Sequence, residues 1–89
     1  MIVTAEVSLY PLSDDFEAPI ISFVKRLNQN QAVEVFTHSM STFVRGDSEK
    51  VFNAINEAFE KSVENIDTVS LIIKVVNRDL KVEKGFLGF

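Results

Sequence analysis

The chain has no cysteine and no tryptophan, and only two prolines, three glycines and one histidine among its 89 residues. Without cysteine there is no disulfide framework, no thiol redox chemistry and no thiolate metal site. Gly46, Gly85 and Gly88 form no phosphate-cradling pattern. The lone His38 has no second histidine beside it to share a metal, and no obvious nucleophile that it must activate. No apolar run approaches the length that crosses a bilayer. The N-terminus shows no basic segment leading into an apolar core and a cleavage site, so the cytoplasm is the expected compartment. Positive charge is also scarce. Nine Lys and Arg against thirteen Asp and Glu leave a net charge of −4, whereas a nucleic-acid binder usually shows a basic stripe.

What is there is hydrophobic. At 46% apolar residues the chain has ample material for a packed core. Its length fits one domain spanning 1–89. A domain this small buries a modest share of its surface, so a partner subunit would help it.

The opening strand is the most informative segment. From Val3 to Leu9 the apolar residues fall on odd positions, and Thr4, Glu6, Ser8 and Tyr10 fall on even ones. That period of two is a strand with one core face and one face carrying a carboxylate, two hydroxyls and a phenol. Pro11 to Asp15 ends it. Asp14 followed by Glu17 has capping-box spacing, with Ser13 as an alternative cap and Pro19 within the first turn. Phe16, Ile20, Phe23, Val24 and Leu27 then predict a helix from about Asp15 to Asn28.

Ala32 to Arg45 returns to strand character and fits two strands with a break near His38 to Ser41. Gly46-Asp47 starts a second helix whose apolar stripe is Val51, Phe52, Ile55, Phe59 and Val63. A last strand from Thr68 to Asn77 puts Val69, Leu71, Ile73 and Val75 on one face and Ser70, Ile72, Lys74 and Val76 on the other. The tail from Arg78 to Phe89 is part charged, part apolar and unassigned. The order strand, helix, strand, strand, helix, strand, with right-handed crossovers, predicts an α+β, ferredoxin-like sandwich. A four-stranded antiparallel sheet would carry both helices on one face. The other face is left open to meet a ligand or a neighbouring subunit.

Ser8-Leu9-Tyr10-Pro11-Leu12-Ser13-Asp14-Asp15-Phe16 and Met40-Ser41-Thr42-Phe43-Val44-Arg45-Gly46-Asp47 resemble the YkoF-like family of thiamine- and hydroxymethylpyrimidine-binding proteins. The likeness runs over nearly the whole chain. The resemblance implies a ferredoxin-like fold whose sheets pack in pairs, with a ligand pocket between or beside them. Some members carry two such domains; a single copy would need two chains to supply the same arrangement. Many relatives have Thr-Pro before the methionine where this chain has His38-Ser39, which bears on ligand preference. Carried over to matched positions, the resemblance assigns ligand contact to Ser8, Tyr10, Asp15, Met40, Ser41 and Thr42. Phe36 and His38 are added as neighbours.

An aminopyrimidine suits these residue types. Its amine donates and its ring nitrogens accept, so Ser8, Ser41 and Thr42 complement it. Its flat ring fits Phe36, Phe43 or Met40. The thiazolium of whole thiamine would sit well beside Glu6, Asp15 or an aromatic face. Each residue also has a structural alternative: Ser8 and Thr42 as interface hydrogen-bonders, Asp14 and Asp15 as helix caps, His38 as an exposed strand-end residue, Glu6 and Lys74 as a cross-strand ion pair. Pro11 to Asp15 carries the wrong charge to cradle a phosphate after the first strand, and the sheet lacks the paired aromatics and basic flanks of an RNA binder.

The expectation is a non-enzymatic, cytoplasmic binder of thiamine or hydroxymethylpyrimidine acting as carrier, buffer or sensor. It would need no cofactor or metal, use no catalytic residue, contact neither nucleic acid nor membrane, and form a homodimer or homotetramer through sheet faces. The alternative is a homo-oligomeric interaction module with no small-molecule ligand; a small hydrolase using His38 or Glu6 is a weaker third.

Overall fold

The computed structural model describes residues 1–83. Six elements follow one another: β1 (Ile2–Pro11), α1 (Glu17–Gln29), β2 (Glu34–Thr37), β3 (Thr42–Asp47), α2 (Ser48–Ser62) and β4 (Val69–Val76). The strands form one antiparallel sheet in the order β2-β3-β1-β4, the ferredoxin-like arrangement. Each helix joins two strands that are not neighbours, so both crossovers lie on one side and the other side stays free of helix.

The alternation in β1 sorts the two faces. Val3, Ala5, Val7 and Leu9 are buried beneath the helices, joined by Val44 of β3. Phe23 and Leu27 descend from α1, and Val51, Ala54, Ile55 and Ala58 from α2. Small residues at 54 and 58 let the helices approach closely, and the Ser62 hydroxyl donates to that of Ser22 across the junction at 3.3 Å.

The helix stripes are narrower than the sequence pattern suggests. Phe16 and Phe52 are half exposed. Phe16 precedes the first turn, and Phe52 lies about 100° around the helix from Val51, off the line that meets the sheet.

The start of the first helix also differs from expectation. Helix α1 begins at Glu17, with Phe16 in the cap position in helical rather than extended conformation and no side-chain cap. Such a backbone does not bring a preceding carboxylate over the free N–H groups, so the Asp14–Glu17 capping box does not form. Ser13 Oγ instead donates to the Asp15 carbonyl at 3.2 Å. Asp47 does occupy the cap position of α2 in extended conformation, but its carboxylate pairs with the N-terminal ammonium at 3.3 Å. Gly46, just before it, has φ +156°, which side chains beyond glycine rarely adopt.

Candidate functional site

Register places the polar even positions of β1 in the middle of the open face. Thr4 stands between Arg45 and Val76, Glu6 between Phe43 and Lys74, Ser8 beside Ile72 and Tyr10 beside Ser70. Phe36 of β2 pairs with Phe43, and Glu34 with Arg45. Two differently furnished ends result.

At the Thr4 end the chain covers its own sheet. After β4, residues 77–83 turn back across the open face. The Thr4 hydroxyl donates to the Arg78 carbonyl at 2.8 Å and accepts from the Leu80 N–H at 3.0 Å. Arg45, its side chain only 11% exposed, gathers Glu34 at 2.7 Å, Glu83 at 3.1 Å and Asp79 at 3.2 Å, and also donates to the Leu80 carbonyl. Its guanidinium lies 5.4 Å from the centre of the Phe36 ring, within cation–π range. The Glu34 hydrogen bond, more than any other contact, raises the Arg45 pKa further above its already high range. The Glu83 carboxyl is lowered, chiefly by its own backbone N–H; desolvation opposes this, and the charge and hydrogen bond of Arg45 add to the lowering. The sequence left this segment unassigned; Lys84 to Phe89 lie outside the described residues.

The centre and the Tyr10 end are not covered by that turn. Glu6 is held from both sides: Ser41 Oγ donates to one carboxylate oxygen at 3.0 Å, and Lys74 Nζ lies 3.5 Å from the other. The cross-strand ion pair expected of Glu6 and Lys74 is therefore present. The His38 N–H donates to the Ser41 carbonyl at 2.9 Å and closes the β2–β3 hairpin beneath Ser39 and Met40. The His38 and Phe43 rings meet edge to face, centroids 5.1 Å apart. Met40, at the hairpin tip, is 88% exposed. The loop with exposed Asp15 follows β1 at this same end.

Of the expected contact residues, topology gathers Ser8, Tyr10, His38, Met40 and Ser41 at one end of the open face, with Asp15 in the loop beyond. Phe36 lies on the same face but beneath Arg45, towards the covered end. Thr42 does not belong with them. It faces the helices, buried, and its hydroxyl meets that of Thr37 at 3.4 Å, which in turn accepts from Asn28 of α1 at 3.1 Å. Strand alternation forces this: Ser41 and Thr42 are consecutive and point to opposite sides. Sequence reasoning gave Glu6 a minor part and missed Arg45, although strand parity alone puts Glu6 beside Ser8.

A depression of about 220 Å³ lies on the helical side, lined in part by Arg26, Asn30, Glu57 and Lys61, away from all of these residues. No group of three or more His, Asp or Glu side chains suited to a metal occurs among the described residues. Among them, too, no helix is long and apolar enough to cross a membrane.

The family model for YKOF-related proteins matches residues 2–76. No curated protein sequence matches the chain significantly. A hypothetical protein from Methanocaldococcus jannascii is 26% identical, with a TM-score of 0.76 over 90% of this chain and 84% of that one. A Thermotoga maritima protein assigned provisionally to thiamine biosynthesis or salvage superposes with a TM-score of 0.80 at 14% identity, over 93% and 92% of the two chains. A DUF77 domain of unknown function from Bacillus cereus gives 0.71 at 19% identity, over 93% and 85%.

Proposed function

This chain belongs to the YkoF-related family, and from that premise we propose that it binds thiamine or its hydroxymethylpyrimidine precursor, without chemistry, on the half of its sheet face that residues 77–83 leave open. The observation that carries the reading is the Glu6 carboxylate. It is partly buried in mid-face, oriented by Ser41 and Lys74, with the hydroxyls of Ser8 and Tyr10 in line along the same strand. A carboxylate so placed accepts from the exocyclic amine of an aminopyrimidine, or neutralises a thiazolium. Ser8 and Ser41 serve the ring nitrogens, and the Phe43 ring directly across from Glu6 offers a flat apolar surface. The Thermotoga protein's provisional assignment to thiamine metabolism supports the same ligand class. Carriage, buffering or sensing of the vitamin in the cytoplasm is the role such a site would fill. A second copy facing this half would close the ligand in.

Isothermal titration with thiamine and with hydroxymethylpyrimidine tests the proposal; binding by either supports it. No heat and no thermal shift at millimolar ligand would overturn it. A pure interaction module, the second reading, draws on the exposed Tyr10 and Ile72 of the same face. It expects Ser8→Ala to alter assembly and leave ligand response absent.

A further inference from the structure

The two partners of Glu6 are of unequal strength. The Ser41 hydroxyl donates to Oε2 at 3.0 Å in a part-buried contact. Lys74 Nζ stands 3.5 Å from Oε1, beyond the roughly 2.8 Å of a charge-assisted hydrogen bond. The Lys74 side chain is 74% exposed, against 34% for Glu6. Ser41 therefore fixes the carboxylate, while Lys74 neutralises it from the solvent side through a loose ion pair on a flexible stem.

The four strands carry two cationic side chains, Arg45 on β3 and Lys74 on β4. Arg45 is engaged by Glu34, Asp79 and Glu83. Lys74 has Glu6 as its one carboxylate among the described residues. Its neighbours on the open face are Ile72 and Val76 along β4, with Thr4 and Ser8 diagonally across on β1, none of them charged. Since β4 pairs only with β1, nothing in the sheet stops the stem from swinging out past the edge.

Resting on the ligand-binding reading above, we infer that Lys74 is a specificity-determining residue of this face. Its ammonium takes the place at Glu6 that a ligand cation would occupy. The site admits an uncharged aminopyrimidine with the ion pair intact, and a thiazolium only against Lys74 or after displacing it. A carboxylate oxygen has more than one acceptor position, so a neutral amine can donate to Oε1 while Lys74 stays in place. That amine brings no charge into a pair whose own charges cancel. A permanently positive ring at the same oxygen comes within about 5 Å of the residue directly across the strand pair, where like charges repel. The neutral ligand bears no such cost.

Calorimetric titration with thiamine and with hydroxymethylpyrimidine, in mildly alkaline buffer where the pyrimidine is uncharged, tests this on wild type, Lys74→Met, Lys74→Arg and Lys25→Met. Methionine keeps most of the stem and removes the charge; Lys25→Met makes the same charge change at an exposed position of α1. The ratio of thiamine to hydroxymethylpyrimidine affinity should rise about fivefold in Lys74→Met and keep its wild-type value in the other two variants. Salt gives a second readout. From about 20 to 500 mM, thiamine affinity should fall more steeply in Lys74→Met than in wild type, because attraction to Glu6 is no longer offset by a neighbouring cation. Circular dichroism verifies folding, and Lys74→Gln replaces the methionine variant should that one fail to fold.

A ratio unmoved by Lys74→Met, or moved as far by Lys74→Arg or by Lys25→Met, would overturn the inference and leave the proposed function standing. Where the wild type takes only one of the two ligands, thiamine binding must tighten or newly appear in Lys74→Met, and its failure to do so overturns the inference alone. Binding of neither ligand to the wild type overturns both.

Discussion

In Arg45→Ala the carboxylates of Glu34, Asp79 and Glu83 lose their common partner, and the Phe36 ring loses the guanidinium beside it. All three acids are well exposed, so each pair contributes little alone. The expected loss of stability is about 1 kcal/mol, and the larger effect is local: backbone hydrogen exchange of residues 78–83 accelerates while that of β1 does not. Acid should do the same. The Glu83 carboxyl is lowered in the folded chain, so its contribution is complete above the ordinary glutamate range and is lost as pH falls through the folded value. Arg45, raised, stays charged throughout. Nuclear magnetic resonance shifts of the tail residues, followed downward from neutral pH, should therefore move towards free-chain values in the acid limb and stay constant above it. Glu6→Gln keeps the shape of its site and removes the charge, so thiamine affinity should fall about tenfold by titration while the melting temperature changes little. Gly46→Ala meets only ordinary contact, with Val33 Cγ1 3.6 Å from the added carbon. Its cost is the backbone at φ +156°, about 1–3 kcal/mol in a denaturant melt.

The elements divide into those that hold the core and those that frame the site. Helix α1 seats Phe23 and Leu27 at full burial against β1 and α2. Phe23→Ala opens a cavity and should cost about 3–5 kcal/mol, a large share of the stability of a domain of this size, read as a lower midpoint in a denaturant melt. The β2–β3 hairpin does the opposite work. Its tip is exposed, and it carries Met40 and positions Ser41 against Glu6. Substitution of Met40 should leave the denaturation midpoint unchanged. Helix and strand placement was legible because the alternation in β1 and the spacing of Phe23 and Leu27 are set by local geometry. The cap of α1 was not, because whether Asp14 or Phe16 sits at its start depends on the path the chain takes from Pro11.

For the whole molecule, ligand at a hundredfold its dissociation constant should stabilise the fold by about 2.7 kcal/mol, raising the melting temperature by about 10–20 °C in differential scanning fluorimetry. The open face was legible as a consequence of topology, since two right-handed crossovers in a four-stranded sheet put both helices on one side. Its division into a half that residues 77–83 cover and a half that they leave open was not. That division depends on Arg45 reaching Asp79 and Glu83, charged residues in a stretch with no periodicity to read. A facing copy would meet the Glu6 and Tyr10 half, because the other half already holds the chain's own residues.

Sequence by itself determined which side of β1 would be apolar, where the turns fall and the ferredoxin-like order of elements, because these follow from alternation, helical spacing and turn chemistry between near neighbours. Tertiary structure alone decided that Thr42 points away from Ser8, that Glu6 is shared between Ser41 and Lys74, and that residues 77–83 lie over Thr4. Each of these joins side chains whose proximity is created by strand pairing and chain reversal. Distance along the chain carries no trace of it.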